Sequence, residues 1–280
     1  MASFHRPKTT QEAIALLAMP GARLLAGGAS LVAMMNAGLL TPEAIVSLKD
    51  IEALRGISVF ADGSVRIGAM TRHRETAENR ELHGCFDCLR MAAGGIANPV
   101  VRNMGTMGGS VSLADPGADY PAALVALGAM VELEGPTGRR RIPARKFFVD
   151  WYATAAQPQE MLTSVVLPSV GPGVGYYRKL TRVTGDFAIV SVALCLTDAG
   201  GVSIAIGGCG PGPIFSDEAN ALIAQRPGDT GSILKAGEIL AKLADPVDDV
   251  RASADYRRLV IPRLLASAFS IVHENWKSAA

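Results

Sequence analysis

Two short glycine loops hold the clearest chemical potential in this chain. The first is Ala26-Gly27-Gly28-Ala29-Ser30 and the second is Thr106-Met107-Gly108-Gly109-Ser110. Each joins a Gly-Gly pair to a hydroxyl residue. Without a Cβ in the way, main-chain N–H groups can close on an anion, and a hydroxyl adds one more donor. The first loop falls between a strand-like and a helix-like segment, where unpaired amides and the helix dipole favour phosphate. Taken singly, each loop also reads as an ordinary tight turn. Neither runs on into the Gly-Lys-Ser/Thr of a P-loop, and neither has the full G-x-G-x-x-G of a dinucleotide turn, although Gly105 to Gly109 comes near it.

Other candidates are weaker. Asp115-Pro116-Gly117-Ala118-Asp119 follows the second loop and offers carboxylates to ligand hydroxyls; a turn with Asp119 as a helix N-cap fits the same spacing equally well. Lys179 lies in the strand-like run Tyr176 to Leu180, either reaching into a cleft or facing solvent. Cys85-Phe86-Asp87-Cys88 is a C-x-x-C in a helical stretch. It lacks a second ligand pair, and Cys195 and Cys209 stand alone, so buried structural thiols are favoured over a redox or metal site. His5, His73 and His273 show no triad or metal spacing. Arg139-Arg140-Arg141 reads as a solvated hairpin arm.

Positioning these residues falls to a mixed set of elements. A helix is expected over Thr10 to Met19 with Thr10 as its cap, then a strand over Ala22 to Ala26, a helix from Ser30 to about Gly38, and a strand over Ala44 to Leu48. That order predicts a small parallel βαβ unit. Beyond Ala61-Asp62-Gly63, a turn, come a strand at Val65 to Ile67 and a long helix from Thr71 to Ala93 capped by Thr71 or Thr76. Gly94 to Pro121 reads as irregular, Pro121 to Leu127 as a helix, Met130 to Ile142 as a hairpin, and Met161 to Leu167 as a strand. After Gly171-Pro172-Gly173, strands at Gly175 to Leu180, Phe187 to Thr197 and Val202 to Gly207 form an antiparallel meander, followed by helices at Asp217 to Ala224, Gly231 to Leu243 and Ala254 to Trp276. The expected divisions are 1–57, 58–171 and 172–280.

Composition narrows the function classes. The 280 residues carry a formal charge of +1, which removes the electrostatic reason to expect nucleic acid as a partner. Apolar residues are 49 % and charged residues 19 %, enough for one or two buried cores. No apolar run approaches the roughly 18 residues of a spanning helix, and no signal peptide is evident, so a cytoplasmic location is expected. The 30 glycines and 16 prolines point to many tight turns and close backbone approaches.

Together these residues resemble a known family. Leu24 to Leu31 with Asn98 to Ser110, then Ala114 to Asp119, Lys179-Leu180, Gly185-Asp186-Phe187-Ala188 and Ser253-Ala254-Asp255-Tyr256-Arg257-Arg258, follow in order the pattern of the FAD-binding medium subunit of the molybdenum hydroxylases. That family includes xanthine dehydrogenases and aerobic carbon monoxide dehydrogenases. The resemblance implies an α+β, vanillyl-alcohol-oxidase-like FAD-binding fold of two α/β subdomains, closed by a C-terminal domain of antiparallel sheet and helices. It implies FAD held non-covalently, with molybdopterin and [2Fe–2S] clusters on large and small partner subunits, in a dimer of heterotrimers. Electrons would pass from the clusters to FAD and on to an external acceptor.

The resemblance also implies residue roles. Ala26, Gly27, Gly28, Ala29 and Ser30, with Thr106, Met107, Gly108, Gly109 and Ser110, would hold the diphosphate and ribityl chain. Asp119 would bond ribityl hydroxyls, and Ile96 and Leu162 would form ring or adenine walls. Lys179 would lie close to the isoalloxazine and favour its anionic reduced form, while Phe187 shields one ring face. Ala29 stands where relatives often have His or Gln, and Met107 where they have Ile or Leu. Two other readings remain: a subunit of this fold that keeps its partners but not the flavin, and a stand-alone flavin oxidase.

Overall fold

The computed structural model describes residues 2–279, with side chains through residue 272; the His273 side chain lies outside the described residues. The N-terminal elements are β1 (Ser3–His5), α1 (Thr10–Leu17), β2 (Ala22–Leu25), α2 (Leu31–Asn36) and β3 (Ala44–Ser47). Their strands form a parallel sheet in the order β1-β3-β2. The expected βαβ unit is thus present, with β1 added; three residues are too few to show a periodic pattern. Thr9, not Thr10, caps α1: its backbone is extended and its Oγ1 accepts from Glu12 N at 3.2 Å. Thr10 instead turns inward and donates to Glu134 Oε1 at 3.1 Å.

The next elements are β4 (Ile57–Val59), β5 (Val65–Gly68), α3 (His73–Glu78), α4 (Asp87–Gly95), α5 (Pro99–Met104), α6 (Met107–Leu113), α7 (Asp119–Ala126), β6 (Met130–Gly135), β7 (Gly138–Pro143), α8 (Ala144–Phe147), β8 (Phe148–Asp150), β9 (Ala153–Thr154) and β10 (Met161–Leu167). Five strands pair antiparallel in the order β4-β5-β10-β6-β7, and β8 and β9 form a separate small hairpin. The long helix expected over Thr71 to Ala93 is broken. Asn79 Oδ1 accepts from Glu81 N at 2.8 Å, and Gly84 takes φ +63, so the chain turns before α4 begins. Neither Thr71 nor Thr76 caps α3; Arg72 holds that position, with its N–H on Glu75 Oε2.

A larger difference concerns Gly94 to Pro121. It is mostly helical, because side-chain caps compensate for glycine's low propensity. Asn98 Oδ1 accepts from Val101 N at 3.0 Å to start α5, and Thr106 Oγ1 accepts from Gly109 N at 3.1 Å to start α6. The second glycine loop is therefore the first turn of a helix. Asp119 is the first residue of α7, with Ala118 at the cap position.

The C-terminal elements are β11 (Gly173–Leu180), β12 (Val190–Thr197), β13 (Val202–Gly207), α9 (Asp217–Gln225), α10 (Thr230–Leu243) and α11 (Ala254–Ala279). The sheet is an antiparallel meander, with β12 central and buried from Val190 to Leu196. Phe187 to Ile189 precede the strand rather than belonging to it. Alternate residues face two different cores. Ala193 and Cys195 join the core around α4 and α7, while Val192, Leu194 and Leu196 join the core beneath α9, α10 and α11. Gly175 lets β11 lie on the backbone ahead of α4: a Cβ there would fall 1.9 Å from the Cys85 carbonyl oxygen. All four cysteines are buried and none is bridged. Among the described residues, no acidic, His or Cys group could hold a metal, and no helix is long and apolar enough to cross a membrane. Arg139, Arg140 and Arg141 line the outer arm of the hairpin and pair with Glu134, Glu160 and Glu132.

Candidate cofactor site

A cavity of about 730 Å³ opens where the N-terminal elements meet the C-terminal sheet's approach loop. This volume is in the range of cofactor pockets. Residues of both glycine loops line it, together with Ile96, Leu162, Asp119 and Phe187. The loops, far apart in sequence, touch. A Cβ on Gly27 would lie 1.8 Å from the Met104 carbonyl oxygen and 2.9 Å from Gly105 Cα, so only glycine permits this approach.

Their hydrogen-bonding states differ. Among the described residues, the N–H groups of Gly27, Gly28, Ala29 and Ser30 donate to no protein acceptor. They are free for a ligand. Those of the second loop are spent: Met107 N on Thr71 O (2.8 Å), Gly108 N on Ala69 O (2.8 Å), Gly109 N on Thr106 Oγ1 and Ser110 N on Thr106 O (3.1 Å). Met107 is fully buried in the core and does not line the cavity, which corrects its expected place there. Gly108 serves packing, since a Cβ would come within 2.6 Å of Ala69 Cβ and 2.9 Å of its backbone. This loop offers the cavity the Ser110 side chain and glycine surface instead of a ring of amides.

Lys179 does not itself line the cavity but bonds two residues that do. Its Nζ is 3.0 Å from Asp119 Oδ1 and 2.9 Å from the Asp186 carbonyl oxygen, behind the cavity wall rather than in it. Asp119 lines the cavity, is buried, and accepts from Tyr177 Oη at 2.7 Å. Burial raises the Asp119 pKa, opposed by Lys179 and the Tyr177 hydroxyl. The carboxylate thus meets the cavity with its charge already countered from behind.

His73, Arg23 and Tyr152 line the cavity without a local signal in the sequence, whereas Asp115 and Asp186, which also line it, belong to motifs the sequence displays. Tyr152 has φ +53 at the tip of the β8–β9 hairpin, and its hydroxyl donates to Asp115 Oδ2 at 3.3 Å. The Ser253 to Arg258 signature touches no part of the cavity. Within it, Arg257 donates to the carbonyl oxygens of Ile189 and Gly208 and to Asp249 Oδ1 (2.7 Å), anchoring the segment that carries Phe187. The Arg251 guanidinium lies 5.4 Å from the Phe187 ring centroid.

Unpaired amides at one wall, apolar surfaces and a backed carboxylate make this a site for a large cofactor that joins an anionic part to a ring system. The residues fit a flavin dinucleotide, because the free first-loop amides and the cavity's size and lining meet its needs. The chain belongs to the family of FAD-binding domains in molybdopterin dehydrogenases, whose model matches residues 1–170; a second model, the CO dehydrogenase flavoprotein C-terminal domain, matches 175–272. It is an FAD-binding oxidoreductase subunit of the medium-chain type. The carbon monoxide dehydrogenase medium chain of Afipia carboxidovorans is 38 % identical over 261 residues, covering 91 % of this chain and 90 % of that one. That of Hydrogenophaga pseudoflava is 34 % identical, with 95 % of each chain covered. A solved structure of a copper- and molybdenum-containing CO dehydrogenase, in its cyanide-inactivated form, superposes with a TM-score of 0.92 at 35 % identity and covers 97 % of both chains. The α+β FAD-binding fold expected from the resemblance is the fold observed.

Proposed function

We propose that this chain relays electrons inside a molybdenum hydroxylase complex: from [2Fe–2S] clusters on a small subunit, through its FAD, to an external acceptor. Bound non-covalently, FAD would supply the ability to take and release electrons singly or in pairs. The chain's own residues bind, orient and shield. In this reading the free amides of Gly27 to Ser30 take the diphosphate, and Thr106 and Ser110 shape the opposite wall. Asp119 accepts from ribityl hydroxyls, while Lys179 acts through Asp119, its ammonium opposing the burial that raises the carboxyl pKa. Ile96, Leu162 and Phe187 form apolar walls that limit water at the ring. Substrate hydroxylation belongs to a molybdopterin-bearing large subunit, the assembly is a dimer of heterotrimers, and its location is the cytoplasm. The division into 1–57, 58–171 and 172–280 belongs to the same reading.

The observation that carries it is the pairing of an ample cavity with a loop whose amides have no protein acceptor. Four consecutive amides facing one cavity without a protein acceptor are the arrangement an anionic group would use. The test is direct. Purified chain mixed with FAD should show flavin absorption bands after desalting, and these should bleach on reduction by a co-purified iron–sulfur subunit. Absence of flavin bands would refute it, and steady turnover of an organic substrate by the isolated chain would favour a stand-alone oxidase.

A further inference from the structure

His73 stands at the seam of the two loops, and the function described above leaves it without a task. It opens α3, lines the cavity and is only 4 % exposed. Its Nδ1 lies 3.0 Å from Tyr120 Oη, and its Nε2 has no protein partner among the described residues. The Nε2 edge packs on Gly105, where a Cβ would come within 2.5 Å of that nitrogen. Gly105 is also the residue on which Gly27 closes from the first loop. The unpartnered nitrogen therefore emerges where the two loops meet.

The neighbouring groups accommodate a proton on either ring nitrogen. Tyr120 is fully buried, with His73 Nδ1 at hydrogen-bonding distance from its hydroxyl. Thr76, which also approaches the phenol, spends its own proton on the Arg72 carbonyl at 3.3 Å. The Tyr120 hydroxyl has two acceptors within reach, His73 Nδ1 and Thr76 Oγ1, whose oxygen can still accept. When Tyr120 donates to Nδ1 the imidazole proton is on Nε2, a neutral donor at the seam, and an anionic oxygen bound there selects that tautomer. Burial, with the Arg102 charge adding to it, lowers the His73 pKa to about 4, so the ring stays neutral near pH 7.

We propose that His73 is a cofactor ligand, donating Nε2–H to a diphosphate oxygen of the bound dinucleotide where the loops meet. The proposal rests on the FAD reading of the cavity. It supplies what the second loop lacks, since the four amides from Met107 to Ser110 are already committed within the protein.

The test is FAD titration of the purified full-length chain, followed by flavin fluorescence, for wild type, His73→Leu and His73→Gln. A glutamine amide reaches the position of Nε2 and keeps a donor there. His73→Leu should weaken FAD about 10- to 100-fold, the worth of one hydrogen bond to a charged group, and His73→Gln should recover most of it. In phosphorus NMR, the diphosphate signal of bound FAD should move in the leucine variant and stay near its wild-type position in the glutamine variant. Equal affinity in all three proteins, or a diphosphate signal indifferent to residue 73, overturns the proposal. If His73→Leu does not fold, His73→Asn takes its place: its shorter amide should bind FAD more weakly than glutamine, and equal affinity overturns the proposal. A wild-type chain that binds no FAD would instead refute the reading of the cavity, a result distinct from unimpaired binding by a His73 variant.

Discussion

Gly27→Ala is the sharpest perturbation of the site. The added methyl would fall 1.8 Å from the Met104 carbonyl oxygen, 2.7 Å from its carbon and 2.9 Å from Gly105 Cα. All three atoms are backbone, so no side chain can swing aside. Ordinary carbon–oxygen contact begins near roughly 3.3 Å, and the loops would have to part by about 1.5 Å. A displacement of that size opens the seam and spoils the geometry of the free amides, at an overpacking cost of about 1–3 kcal/mol. Gly94→Ala is the control: it lies within α4, and the nearest atom to its new Cβ would be Ala77 Cβ at 3.9 Å. There the change should be neutral or raise stability by about 0.5–1 kcal/mol. The assay is chemical denaturation together with FAD titration. Gly27→Ala should lose both stability and at least tenfold in FAD affinity, whereas Gly94→Ala should lose neither. Wild-type FAD affinity in Gly27→Ala would refute the claim that the loops must touch to form the site.

Other expectations are equally concrete. Gly108→Ala should destabilise the fold by about 1–3 kcal/mol in urea, because its methyl meets Ala69 Cβ at 2.6 Å and not because a ligand donor is lost. Burial alone would raise the Asp249 pKa, but the Ala252 and Arg251 amides and the Arg257 guanidinium together hold it down to about 2. Its folded pKa is below the unfolded value, so the stability it contributes is present above about pH 4 and is lost as pH falls towards 2. Melting curves across that window should show Asp249→Asn as less stable near neutrality and less sensitive to acid. Burial pushes the Cys88 thiol up and the Cys209 thiol up to about 12. With all four thiols buried, a thiol-reactive disulfide reagent should label none of them until the chain unfolds.

Much of the architecture was legible locally. The 130–143 hairpin, the C-terminal meander and its following helices carry their signals in adjacent residues: turn glycines, alternating apolar positions and caps. The chain over 71–93 is not one long helix because the Asn79 turn and the left-handed Gly84 outweigh an apolar pattern that continues across them. The helices within 94–121 show the converse balance. Glycine suggests a loop, whereas Asn98 and Thr106 satisfy the exposed amides that would otherwise prevent such short helices. Packing against Ala69 then requires glycine at position 108 within α6.

The amino-acid sequence by itself determined the family, the two glycine loops, the βαβ unit, the 130–143 hairpin and the C-terminal meander with its helices, because these depend on residue type and near-neighbour spacing. Only tertiary structure decided which loop keeps its amides free, that Lys179 stands behind Asp119, that Met107 faces the core, and that His73 reaches the seam. The physical reason is that a donor's availability depends on whether a distant carbonyl or hydroxyl has already claimed it. Thr71 and Ala69 claim the amides of Met107 and Gly108 from more than thirty residues away, and no local pattern records that pairing.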